Sequence, residues 1–389
     1  MEGTLYLYDT LVRVLSQHRN WFDVRHLQTL AWMMVGLIQS GKISLSAWAP
    51  YVHSRASYAQ STVRRFARWL HNPRIQVHRL YGPLIRQALR QWGPHTVYLA
   101  LDTTTLWGAY CVVRLSVLYR GRAVPVVWRV LAQHSTSVAH DRYRDLLERA
   151  NRLLPPECRV VLLADRGFAD VKLMAQLREL GWHWRIRIKR SFWVCAPGVR
   201  RCQVKSIPLA RGQAQLWHDV FITAQRFGPV HLALARPQGS CWYVVSDEPT
   251  DRDTFDEYGR RFGIEENFLD DKSNGFQLES SQLDCPQALS RLCLVLALTT
   301  LYLVSQGTEV VQQGKRRWVD AHWFRGSSYL KLGWNWIKLA LAKGLELLCQ
   351  LRLCGCPDPT PALASKKRKK RHAHRFLSVK VLRYPCGSL

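Results

Sequence analysis

VYLALDTTT, Val97 to Thr105, is the stretch from which the rest of the chain can be organised. Val97 to Leu101 is a continuous apolar run with no helical period, which suits a central strand buried on both faces. The run stops at Asp102. A second run, Val160 to Ala164, stops in the same way at Asp165. A charged side chain that ends a buried strand costs free energy unless it is paired or metal-bound. Either Asp alone reads equally well as the cap of a following turn. Two such strands lying side by side, however, would bring both acids to one edge of a sheet.

Outward from these runs, Tyr110 to Tyr119 and Ala123 to Leu131 are β-rich, with Arg120, Gly121 and Arg122 as a hairpin turn between them. A helical segment, Asp141 to Leu154, precedes the second buried strand. Leu173, Met174, Leu177 and Leu180 then mark a helix closed by Gly181. In His183 to Lys189, Trp184, Ile186 and Ile188 alternate with Arg185, Arg187 and Lys189, which predicts one core face and one basic face. Residues 191–240 hold no long helical period and read as a β-rich insertion. Trp242 to Val245 returns to strand, and Thr254 to Asp271 reads as a helix. The expected fold class is α/β, with a mixed sheet whose first three strands form a meander.

Residues 1–92 read as a helical DNA-binding domain, with apolar residues at helical spacing from Thr4 to about Arg90. In Ser61 to Leu70, Ser61 is the expected N-cap, and Val63, Phe66, Ala67 and Leu70 form the packed stripe. Arg64, Arg65 and Arg68 face away from it. With Leu45 to Val52 this segment predicts a helix-turn-helix whose second helix enters a major groove; a surface helix with solvated arginines fits as well. Residues 346–389 read as a basic tail in which Lys366 to Arg371 contact DNA without specificity.

The balance of 56 Lys and Arg against 28 Asp and Glu, a formal charge of +28, calls for a polyanionic partner. The 47% hydrophobic content and 16 Trp exclude a disordered basic tail as the whole story. Eleven cysteines, odd in number and mostly isolated, point to free thiols in a reducing compartment. Cys354 and Cys356 lack the further ligands of a zinc site. Met1 to Asn20 shows no secretory pattern, and Leu292 to Val304 falls short of the ~20 residues that span a bilayer. The expectation is a cytoplasmic protein without a membrane partner.

Tyr258, Arg261, Glu265 and Lys272 supply the third element. Their offsets place all four within roughly 60° on one straight helix. Two-ion phosphodiester chemistry needs carboxylates on converging elements, so Asp102, Asp165 and Glu265 are the candidate metal ligands. Arg261 and Lys272 would then face phosphate oxygens, with Tyr258 as a hydrogen-bond donor. On spacing alone, Arg261 and Glu265 are an ordinary i,i+4 ion pair. Glu266, Asp270 and Asp271 compete for the acid role from other faces.

Tyr258, Arg261, Glu265 and Lys272, with these intervals, resemble the Tyr-Arg-Glu-Lys signature of DDE transposases of the insertion-sequence-four group. The segments around Asp102 and Asp165 resemble that family's first two acid motifs, and Tyr329 to Trp336 resembles a late segment of its catalytic domain. The resemblance implies a ribonuclease H-like catalytic domain, residues 93–190 and 241–345, interrupted by the β-rich insertion at 191–240. It implies catalysis by Asp102, Asp165 and Glu265 with two Mg²⁺ (or Mn²⁺) ions. It also implies a homodimer on double-stranded DNA, acting on terminal inverted repeats and target DNA, and cut-and-paste excision through hairpinned ends. An insertion-domain Trp would stack on a flipped base, with Trp193 and Trp217 as candidates. The alternatives are another ribonuclease H-like nuclease and a non-catalytic DNA-binding regulator.

Overall fold

The computed structural model describes residues 2–18, 21–54, 56–196, 198–237, 241–269, 283, 285–361 and 376–384. Five helices open the chain: α1 (Glu2–Ser16), α2 (Val24–Ser40), α3 (Leu45–Trp48), α4 (Ala59–His71) and α5 (Val77–Leu89). The N-cap of α4 is Tyr58, without a side-chain hydrogen bond, so Ser61 lies inside the helix rather than capping it. The buried stripe is Thr62, Phe66, Trp69 and Leu70. Trp69 pulls the stripe round because its ring fills the core and its Nε1 donates to His26 O at 2.9 Å; Val63 and Ala67 are left half-buried. These helices do not close a core of their own. Leu30, Trp48, Phe66 and Ile85 belong to the same hydrophobic cluster as the strands that follow.

The sheet begins with a meander, β1 (Val97–Leu106), β2 (Tyr110–Tyr119) and β3 (Arg122–Ala132). Its second turn, Arg120 (φ 46°) and Gly121 (φ 82°), has the left-handed backbone at both positions that a tight hairpin requires. There follow α6 (Arg144–Asn151), β4 (Val160–Ala164), α7 (Val171–Glu179) and β5 (His183–Arg187), then β6 (Trp193–Ala196), β7 (Val199–Gln203), β8 (Gln213–Ile222), β9 (Phe227–Arg236) and β10 (Trp242–Ser246). Among the described residues these strands form one sheet in the order β3-β2-β1-β4-β5-β10-β9-β8-β6-β7. β4 runs parallel to β1 and β5. The β-rich stretch after residue 191 extends this sheet edge to edge.

The chain then forms α8 (Thr254–Gly259), α9 (Phe262–Leu269), α10 (Pro286–Gln312), α11 (Arg316–Val319), α12 (Tyr329–Lys343) and β11 (Ser378–Arg383). The single helix expected from Thr254 onward is two helices, broken by tight turns in which Arg261 N–H donates to Tyr258 O and Gly263 N–H to Arg260 O. The break has a packing reason. Phe255 and Tyr258 of α8 bury against Ala214, Leu216, Ala233, Ala235 and Val244, whereas Ile264 and Phe268 of α9 bury against Ala100 and Ala123. A twisted sheet turns these two surfaces away from a common plane, so one straight helix cannot cover both. The basic tail is corrected too, because its residues 378–383 are β11, paired in parallel with β8. Lys366 to Arg371 lie outside the described residues.

α10 is 27 residues long and apolar enough to cross a bilayer, yet it is buried inside the protein. It ties the N-terminal helices to the sheet. Arg291 donates to Leu70 O at 2.8 Å and Ile75 O at 3.2 Å, and Ser290 O accepts from Trp128 Nε1 at 3.2 Å.

Candidate active site

Asp102 lies inside β1, four residues before the strand ends, not just beyond it. Leu101 pairs with Ala164 in parallel register, so Asp102 follows on β1 and Asp165 follows just past the end of the neighbouring β4. Neither acid behaves as a simple turn cap. Asp165 begins the Arg166–Phe168 turn without a side-chain capping bond. Asp102 Oδ1 accepts from the adjoining Thr103 N–H at 2.8 Å, while Oδ2 points at a cation.

That cation is Arg261, on the turn before α9 and 5% exposed. Its Nη1 donates to Asp102 Oδ2 at 2.8 Å and its Nη2 to Glu265 Oε1 at 2.5 Å, so one guanidinium bridges the first and third acids. Its Nε is buried without a hydrogen-bond partner. Asp165 is near enough to act on both Asp102 and Arg261. One arginine therefore pairs two of the candidate acids, and the third lies within electrostatic range of it.

Burial pushes the Asp102 carboxyl up to about 6; Arg261 and the Thr103 N–H oppose this, and Glu265 and Asp165 add to it. Native Asp102 thus holds its proton between about pH 4 and 6, where an unfolded Asp has lost it, so its contribution to stability falls as pH rises through that window. A metal ligand must be deprotonated. Mn²⁺ affinity measured by calorimetry is expected to rise with pH through about 6 and level off above 7; a flat profile from pH 5 to 7 would assign the ion to other groups.

The break between α8 and α9 changes the remaining assignments. Tyr258 is 1% exposed and part of the apolar cluster on β8 to β10. Its hydroxyl is buried beside Arg261. Lys272, Asp270 and Asp271 lie outside the described residues. In this state Arg261 is the i,i+4 partner of Glu265, in addition to bridging to Asp102. Removing it strands a buried carboxylate, at about 1–3 kcal/mol. Arg261→Ala is therefore expected to melt a few degrees lower in EDTA, and added Mn²⁺ should restore more of its melting temperature than it adds to the wild type. An unchanged melting temperature in EDTA would refute the bridging role.

Of the N-terminal arginines, Arg64 and Arg68 are exposed, but Arg65 turns partly inward, with Nε and Nη2 buried and unpartnered. Trp217 is 6% exposed and packs against Tyr384, whereas Trp193 is 39% exposed beneath Arg201.

The basic face expected on β5 is interior at Arg185, which donates to Glu257 and Glu248, both at 2.9 Å. His183, Asp247 and Glu248 have ligand atoms within 4.8 Å of one another. This group sits at the opposite end of the parallel strands, since Val161 pairs with His183 and Ala164 with Ile186. Its members are tied to one another and to a cation: His183 Nδ1 meets Asp247 at 2.7 Å, and Arg159 donates to both Glu248 oxygens. Burial raises the Glu248 carboxyl, but bonds from Arg159 and Arg185 outweigh it and hold the group below its ordinary value. This is an ion-pair clamp on α8, whose Glu257 also accepts from Tyr98 at 2.7 Å.

Sequence reasoning missed Arg114. It is 2% exposed, directly across from Asp102, with its guanidinium 4.9 Å from the Phe268 ring of α9. The available signal was a lone cation in the middle of an apolar strand.

The acids fit a divalent ion. Carboxylates are hard oxygen ligands suited to Mg²⁺ or Mn²⁺, and a cation already sits between two of them.

The structure described as a cryo-EM structure of the piggyBac transposase synaptic complex with hairpin DNA is similar over 97% of this chain and 83% of that one, at 11% identity and a TM-score of 0.48. No curated protein matches the chain. The family model described as the transposase DDE domain matches residues 109–302. Asp102 lies just ahead of that span. The matched span takes in Asp165, Arg261 and Glu265, and the match supports a DDE transposase.

Proposed function

We propose that the chain is a cut-and-paste DNA transposase in which Asp102, Asp165 and Glu265 hold two divalent ions, Mg²⁺ or Mn²⁺, at a scissile phosphodiester. The observation that carries this reading is the pairing of Asp102 and Glu265 through Arg261, with Asp165 close enough to act on both Asp102 and Arg261. The bound ions would supply Lewis-acid activation of the phosphate and of the attacking oxygen. The chain's own part is to position. β1 and β4 hold Asp102 and Asp165 side by side, and α9 brings Glu265 across to them. Arg261 pairs Asp102 with Glu265 and, with ions held by those acids, would be the cation nearest to a phosphate oxygen.

A ribonuclease H-like core is supported by the order β3-β2-β1-β4-β5 with β1, β4 and β5 parallel. The DNA partner is supported by the +28 charge. Contact of transposon ends with Arg64 and Arg68 is supported by their exposure on α4. Action as a DNA-bound homodimer through hairpinned ends belongs to the same proposal, on the strength of the signature around Glu265. The test is nicking of supercoiled plasmid by the full chain, with Mg²⁺ against EDTA, and then with the inverted repeats that flank its gene added. Mg²⁺-dependent nicking stimulated by those repeats is expected. Nicking indifferent to them would instead mark a general nuclease, and DNA binding without nicking a regulator.

A further inference from the structure

KRRWVDAHWFR, Lys315 to Arg325, interleaves cations with aromatic rings in the connection between α10 and α12. It is firmly mounted. Arg316 is buried and donates to Thr360 O at 2.7 Å and Thr360 Oγ1 at 3.1 Å, with Asp320 3.6 Å away. Asn335 of α12 donates to Val319 O at 3.1 Å.

The outward side chains are a different population. Trp318 is 60% exposed and Phe324 36%. The Arg317 guanidinium sits over Trp323, 4.5 Å from the ring centroid, and that of Arg325 is 5.7 Å from the centroid of Phe324. A fixed backbone that presents large rings to solvent is the mark of an interaction surface rather than of a loose loop. The only acid in the segment, Asp320, is already committed to Arg316. The segment leads into Ser328 and Tyr329, which meet the Arg120–Gly121 turn at the sheet edge away from Asp102.

We propose that this strip is a second DNA-contact surface, separate from the acids, which binds an unpaired DNA strand. Bases stack on Trp318 and Phe324 while Arg317 and Arg325 hold the adjoining phosphates. Charge selects a polyanion, and the rings select its state. Phosphates alone give exposed indole and phenyl faces nothing, and a duplex keeps its base faces stacked inside. An unpaired strand offers both. The inference rests on the reading of the chain as a DNA transposase and adds to it a place where a strand opened during the reaction would be held.

The test is fluorescence anisotropy of the full chain with a labelled 20-nucleotide strand and with the same sequence as a duplex. Trp318→Ala is expected to weaken single-strand binding on the order of 10-fold and duplex binding less than about 2-fold, the stacking scale set against phosphate contacts it does not make. Trp318→Phe should keep most of the affinity. Arg317→Ala with Arg325→Ala should lower the single-strand salt slope by about 1.4, two phosphates' worth. Equal losses on both substrates, or none, would overturn the proposal. Plasmid nicking separates the two failures. If Trp318→Ala binds the strand like the wild type while the wild type nicks with Mg²⁺, the strip alone is wrong; a wild type that neither binds nor nicks sinks the reading of the acids too.

Discussion

Asp102→Asn is expected to leave Mg²⁺-dependent nicking at least ~10³-fold below wild type. Asn keeps the shape but loses the charge that binds a divalent ion. Lewis-acid stabilisation of the reacting phosphate is worth several kcal/mol, and each 1.36 kcal/mol is tenfold in rate. Asp165→Asn and Glu265→Gln should fall as far. A double variant should fall little further, because the three acids act as one site. Folding is checked by thermal melts in EDTA, where Asp102→Asn should stay near wild type: it removes a buried carboxylate that burial already disfavours as the ion. The control is the other carboxylate cluster. His183→Ala, at the opposite sheet edge, should stay within a few-fold of wild type per folded molecule. If Asp102→Asn kept more than a tenth of the activity while His183→Ala lost it, the active site would have been placed at the wrong edge.

Gly333→Ala is the second large effect, and it acts on the fold. α10 and α12 cross with backbone against backbone. A Cβ at Gly333 would lie 1.8 Å from Leu303 O and 2.8 Å from Gly307 N; one at Gly307 would lie 2.0 Å from Tyr329 O. Backbone carbonyls in buried helices cannot step aside as a flexible side chain does, so the helices must separate. That costs at least the upper end of the ~1–3 kcal/mol typical of overpacking. For a chain of this size the melting temperature should drop by about 4 °C or more, with Gly307→Ala similar and Gly344→Ala, where a Cβ meets nothing within 4 Å, costing only the strain of its positive φ. A melting temperature within 2 °C of wild type for Gly333→Ala would mean that the helices are not in this contact. The crossing also gives a structural reason for the glycine in the Tyr329 to Trp336 segment.

What the sequence determined by itself is what depends on neighbours along the chain. The apolar runs at Val97 and Val160, the hairpin at Arg120 and Gly121 and the helix before Gly181 are written in local periodicity and turn chemistry. Asp102 and Asp165 stand out because each interrupts or ends such a run. The tertiary structure decided everything that depends on what lies opposite. Thr254 to Asp271 has a helical pattern, and only the twisted sheet beneath it forces the break that buries Tyr258 and turns Arg261 toward Asp102. Arg185 looks like part of a solvated basic face until Glu248 and Glu257, more than 60 residues away, are brought against it. Ser378 to Arg383 looks like tail until β8 offers it an edge. In each case the partner is distant in sequence, and a side chain's charge or shape has no preferred partner until the fold brings one within reach. One arginine drawn between two acids is the clearest example: its spacing to Glu265 is legible along the helix, its bond to Asp102 only across the sheet.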